Sequence, residues 1–82
     1  MDKIYLVCIE TICEGHFDVI PCISLDVAKM VLKDEKMKVI SNYASTYMGI
    51  EVKKNDAEHF SIIDKFGDYR TDIYIEVKDI IK

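Results

Sequence analysis

The sequence has no tryptophan, one proline, three glycines and only three cysteines. So little proline and glycine excludes collagen-like and low-complexity chains. The cysteines, Cys8, Cys13 and Cys22, are odd in number and show no C-x-x-C spacing. That count argues against a disulfide framework and against a zinc site, and free cysteine then behaves as a small apolar residue. The expectation is reduced thiols in a cytoplasmic protein. Basic residues are also scarce, 11 Lys and Arg against 15 Asp and Glu, for a net charge of −4. A non-specific nucleic-acid binder draws most of its affinity from lysines and arginines facing phosphate, and that excess is missing here. Like charges are spread along the chain rather than gathered in a tail. The opening apolar run meets Glu10 long before the ~20 residues a membrane helix needs. Its β-branched content suits a strand better than a signal peptide, so no targeting signal and no membrane span are expected. Neither G-x-G-x-x-G nor G-x-x-x-x-G-K-[ST] occurs, which leaves nucleotide binding without a motif.

What is present is an ordinary globular balance, 50% hydrophobic and 32% charged over 82 residues. The length predicts a single domain over residues 1–82. A chain this short buries only about 60–65% of its unfolded surface, so its stability is expected to be modest.

Residues 3–13 are rich in Ile, Val, Tyr and Thr and read as a strand. Glu14-Gly15 supplies a turn, and residues 16–23 a second strand. Pro21 has no N–H to donate, which places that strand at a sheet edge. A two-residue turn would set Cys13 opposite His16, Ile9 opposite Ile20 and Val7 opposite Cys22. A one-residue change in loop length would set Cys8 opposite Cys22 instead. Ser24 is a suitable helix N-cap, with Asp26 where the helix dipole favours negative charge. Apolar residues then recur at Val27, Ala28, Val31 and Leu32, and again at Val39, Ile40, Tyr43, Ala44, Tyr47 and Met48, both with helical spacing. Gly49 fits the position after the last turn. The polar run Lys33-Asp34-Glu35-Lys36 and the length of the segment predict an interruption near residues 34–38. Alternation over 50–54 predicts a half-buried strand, Asn55-Asp56 a turn, and residues 58–64 and 71–79 two more strands around a turn at Phe66-Gly67-Asp68. The fold class is therefore α+β, an antiparallel sheet of about five strands in the order β-β-α-β-β-β, with one long helix on one face.

Lys3-Ile4-Tyr5-Leu6-Val7 opens the first strand, Ser24-Leu25-Asp26-Val27-Ala28-Lys29 opens the helix, and Phe60-Ser61-Ile62 with Ile73-Tyr74-Ile75-Glu76-Val77 closes the sheet, so the features are spread over most of the chain's length. With these features it resembles the small β-β-α-β proteins encoded by phages, prophages and other mobile elements of Gram-positive bacteria. The resemblance implies an accessory protein that acts by binding, for instance to a host or defence factor. It implies no catalytic residues.

The candidates for chemistry are few. Cys13 and His16 are the one short-range nucleophile–base pair, with no third group to orient the base. His16 with Cys13 and Asp18 is a poor metal set. Glu58 and His59 are adjacent in a strand and point to opposite faces. Asp64, Asp68 and Asp72 surround a loop, but their spacing does not match a calcium-binding loop. No enzyme, cofactor or metal is expected.

The informative segment is the first strand. Ile4, Leu6 and Cys8 face one way and Tyr5, Val7 and Ile9 the other, so both faces are apolar while one helix covers only one. The expected partner-binding face comprises Tyr5, Val7, Ile9, Ile20, Cys22 and Tyr74, with Tyr74 assumed to lie beside the first strand on that face. The chain is accordingly expected to be a protein–protein interaction module that binds itself as a homodimer or binds a host protein. A small-molecule or metal-binding protein using the helix–sheet crevice or the acidic loop is the alternative.

Overall fold

Strand-forming residues and a capped helical stretch assemble, in a computed structural model of the chain, into one sheet and one helix. The structure describes residues 3–12, 15–46, 50–64 and 69–79, with the side chains of 45 and 46 left aside. Along the chain the elements are β1 (Lys3–Thr11), β2 (His16–Cys22), α1 (Leu25–Thr46), β3 (Ile50–Asn55), β4 (His59–Asp64) and β5 (Arg70–Asp79). The strands form one antiparallel sheet ordered β2-β1-β5-β4-β3. The last strand therefore inserts beside the first, and β2 and β3 become the edges. Pro21 sits on an edge strand, where its missing N–H leaves no ladder bond unmade.

The β1–β2 register differs from the one a two-residue turn would give. Thr11 faces His16, Val7 faces Ile20 and Tyr5 faces Cys22, so the connection spans residues 12–15. His16 thus pairs with Thr11 and not with Cys13, which itself lies outside the described residues. A shift of two residues leaves every side chain on its own face, so hydrophobic alternation cannot detect it; only the turn sets it. Gly15 adopts a φ of 64°, the left-handed region that costs other residues a Cβ clash. Cys8 faces Val19 rather than Cys22, and the two free thiols point to opposite sides of the sheet.

Ser24 caps α1. Its Oγ accepts from the Val27 N–H at 3.2 Å and its carbonyl from the Ala28 N–H at 3.0 Å. The helix then runs unbroken for 22 residues, about 33 Å at about 1.5 Å per residue. No interruption occurs at residues 34–38, contrary to the expectation from the polar run. Lys33 and Asp34 are exposed, so the charged residues need no break to reach water. The helix also touches β1, β2, β4 and β5, so its length is not limited by that of any single strand. The proposed stop at Gly49 lies outside the described residues, as does the turn at Phe66-Gly67-Asp68.

The core lies between the helix and one sheet face. Ala28, Leu32 and Tyr43 of α1 meet Val7, Cys22, Phe60, Ile62 and Ile73. Within it the Tyr43 hydroxyl and Thr71 Oγ1 are 2.9 Å apart, and Thr71 Oγ1 lies 3.3 Å from Thr11 Oγ1. This chain of hydroxyls ties the helix to β5 and β1 while satisfying buried polar atoms. β3 is exposed along its whole length rather than half-buried, because it is the edge strand farthest from β2 and the helix packs on the other four. It carries a register shift between Val52 and Lys54, and Lys53 and Lys54 form ion pairs with Glu51 and Asp56 at 3.3 and 4.0 Å. A bulge and lysines on an edge both hinder pairing with another chain's strand.

Leu32→Ala is expected to cost about 2–5 kcal/mol in urea denaturation, and Ser24→Ala about 1 kcal/mol. A Leu32→Ala loss smaller than that of Ser24→Ala would contradict the placement of Leu32 in the core.

Candidate functional site on the open sheet face

Because side chains alternate along a strand, the helix-covered face fixes which residues lie on the other. Tyr5, Val7 and Ile9 of β1 and Ile20 and Cys22 of β2 belong to the covered face. Val7 is 0% and Cys22 5% exposed, and Tyr5, Ile9 and Ile20 pack against the same core. Five of the six residues expected on the uncovered face are thus beneath the helix, and Tyr74 alone is on the open side. The reason is the pairing of β5. Val7 faces Ile75 and Ile9 faces Ile73, whereas Tyr74 faces Cys8. The apolar side of β5 therefore continues the Val7 side of β1, and the helix covers the side that is apolar on both strands.

Two cross-strand rows occupy the middle of the open face, beside a third of Pro21, Leu6 and Glu76. Val19, Cys8, Tyr74 and His59 form one; Phe17, Glu10, Asp72 and Ser61 form the other. Its β2 end is apolar and accessible, with Phe17 55% and Val19 42% exposed. These two residues and Leu6 are the part of the surface that sequence reasoning missed. Their signal was present: Phe17, Val19 and Pro21 share one side of β2, and Leu6 faces Pro21.

The β5–β4 end is polar and centres on Asp72. Its carboxylate accepts from Arg70 Nε at 3.1 Å and Arg70 Nη2 at 3.4 Å, and His59 Nε2 is 3.7 Å away, beyond hydrogen-bond reach. The His59 ring lies 6.0 Å from that of Tyr74, centroid to centroid. Ser61 Oγ and His59 Nε2, on the same face as this carboxylate, are both buried. Burial alone would raise the Asp72 pKa. The Ser61 hydroxyl, Arg70 and His59 outweigh it and hold the carboxyl below its ordinary value. Burial, with Glu76 nearby, pushes the Cys8 thiol up and so keeps it in its neutral form. Burial, with Cys8 beside it, likewise raises the Tyr74 phenol.

Ser, His and Asp side chains do meet here, but in the wrong order for nucleophilic catalysis. In a triad the imidazole stands between hydroxyl and carboxylate. Here Asp72 is the hub that Arg70, His59 and Ser61 all approach, and no base stands at Ser61. The acidic set around residues 64–72 does not converge either. Asp64 lies on the covered side, where its carboxylate accepts from the Tyr69 N–H at 2.9 Å, Asp72 is on the open side, and Asp68 is outside the described residues. Among the described residues no group of three or more His, Cys, Asp or Glu could hold a metal ion, and no helix is long and apolar enough to cross a membrane. His16, at the β1–β2 end, pairs with Asp18 at 2.9 Å on the surface. No protein-family profile, curated protein or solved structure matches the chain.

The depressed Asp72 pKa makes a pH prediction. Its folded value lies below the unfolded one of about 3.9, so its contribution is complete above that value and is lost as pH falls through the folded one. Asp72→Asn is expected to destabilise the chain at pH 7 and to flatten the loss of stability below about pH 4. Denaturation series that stay parallel down to acid pH would contradict this.

Proposed function

We propose that the chain is a non-enzymatic protein–protein interaction module that docks through the open face of its sheet. The supporting observation is the make-up of that face. An accessible apolar edge, Phe17 and Val19, adjoins a polar cluster of Arg70, Asp72, His59 and Ser61. An exposed apolar patch rimmed by polar residues marks an interaction site.

The partner we favour is a second copy, packed sheet on sheet about 10 Å apart with two-fold symmetry. Two arguments support it. The edges are defended by Pro21 and by the bulged, lysine-bearing β3, which leaves the face rather than the edge as the route of association. A standard interface needs about 800 Å² per partner, a modest share of a total surface of 5621 Å². The resemblance to small proteins of phages and mobile elements supports an accessory role in which the same face engages a host or defence factor.

The testing substitutions follow from the corrected face. Phe17→Ser with Val19→Asp is expected to leave the melting temperature nearly unchanged and to convert a concentration-dependent dimer, seen by light scattering, into a monomer. Val7→Asp is expected to unfold the chain, since it buries a charge in the core. A wild type that stays monomeric at high concentration would contradict self-pairing.

A further inference from the structure

The helix leaves a second recess, unrelated to the open face. It lies between the N-terminal half of α1 and the β3–β4 turn, has a volume of about 360 Å³, and is lined by Lys29, Met30, Leu32, Lys33, Lys36, Asp56 and Ala57. That volume falls within the range of about 300–1,000 Å³ typical of small-molecule sites. Lys29, Lys33 and Lys36 are spaced i, i+4 and i+7, which puts three ammonium groups on one flank of the helix. Such like-charge neighbours destabilise a helix unless something offsets them. The one acid in the lining, Asp56, has Lys54 at 4.0 Å on its other side. Lys36 is held in place by Asn55 Oδ1 at 3.1 Å and lies 5.9 Å above the Phe60 ring. Lys29 and Lys33 have no ion-pair partner among the described residues. A concentration of positive charge therefore stands beside accessible apolar surface, Ala57 and the adaptable Met30, with the buried Leu32 beneath, in a chain whose net charge is −4.

We propose that this recess binds a small amphiphilic anion, a carboxylate or phosphate monoester on a short apolar chain. The oxyanion would be held between Lys29 and Lys33, with Lys36 as the fixed wall, and the apolar chain would lie on Met30 and Ala57. A charge-assisted contact to each ammonium supplies the affinity, and the apolar surface supplies the preference for an alkyl group over a bare ion.

The test is a backbone amide NMR titration of the full chain with octyl phosphate, octanoate, 1-octanol and inorganic phosphate, each kept below any micelle concentration. Octyl phosphate or octanoate is expected to give saturable shifts confined to residues 29–36 and 55–58. The tighter of the two identifies the headgroup. Lys29→Gln with Lys33→Gln should weaken that binding at least about tenfold, the effect of losing charged hydrogen bonds, while leaving the melting temperature unchanged or raised. Phe17→Ser with Val19→Asp should leave it untouched, so failure here is distinct from failure of the open-face proposal. The inference is overturned if neither anion saturates, if 1-octanol or inorganic phosphate binds as well, if the shifts map to the open face, or if the double lysine variant binds unchanged.

Discussion

Val7, Phe60 and Ile73 meeting Leu32 of α1 is the contact on which the rest of the molecule depends. β1 is an inner strand, bonded to β2 on one side and β5 on the other, and it is apolar on both faces. A single helix satisfies one of those faces. Once Val7 and its neighbours take the helix, Leu6, Cys8, Phe17 and Val19 are committed to the opposite side. Burial of these side chains, at about 25 cal/mol per Å² of apolar surface, is what a chain of 82 residues has to set against its conformational entropy. Misplacing the helix on the other face would strand Ile73 and Ile75 in water and bury Asp72 and Glu76 instead.

The uncovered face is consequently a by-product of the core and the most unusual surface of the protein. Cys8 and Ser61 are nearly fully buried there, with Val19 and Tyr74 paired across from Cys8 and Asp72 across from Ser61. The polar cluster around Asp72 is stabilised by Arg70. The recess on the helix side has a parallel logic: α1 packs on four strands and leaves the β3 margin open, where three lysines gather without enough carboxylates to match them.

Much of this was legible in the residues. Element type followed from β-branched content in the strands and from the 3/4 spacing of the helix, and Ser24 and Pro21 announced a cap and an edge. Four features were not legible, each for a definite reason. β3 alternates as a half-buried strand does, yet it is exposed because the helix packs on the other four strands. The hairpin register differs by two residues, which no alternation pattern can register. The helix continues through Lys33-Asp34-Glu35-Lys36 because its outer side is wet there. The choice of face on β1 could not be read from β1, Tyr5 and Leu6 being equally apolar neighbours. It is settled by the register of β5 against β1: Ile75 faces Val7 and Ile73 faces Ile9, which selects the Val7 side, whereas Tyr74, expected on that side, faces Cys8.

Methyl NMR with a soluble paramagnetic gadolinium chelate, at a concentration that keeps the chain monomeric, measures this assignment most directly. The account predicts that the methyls of Val7, Leu32, Ile62 and Ile73 stay sharp while those of Val19 broaden strongly. Broadening at Val7 with Val19 protected would contradict it.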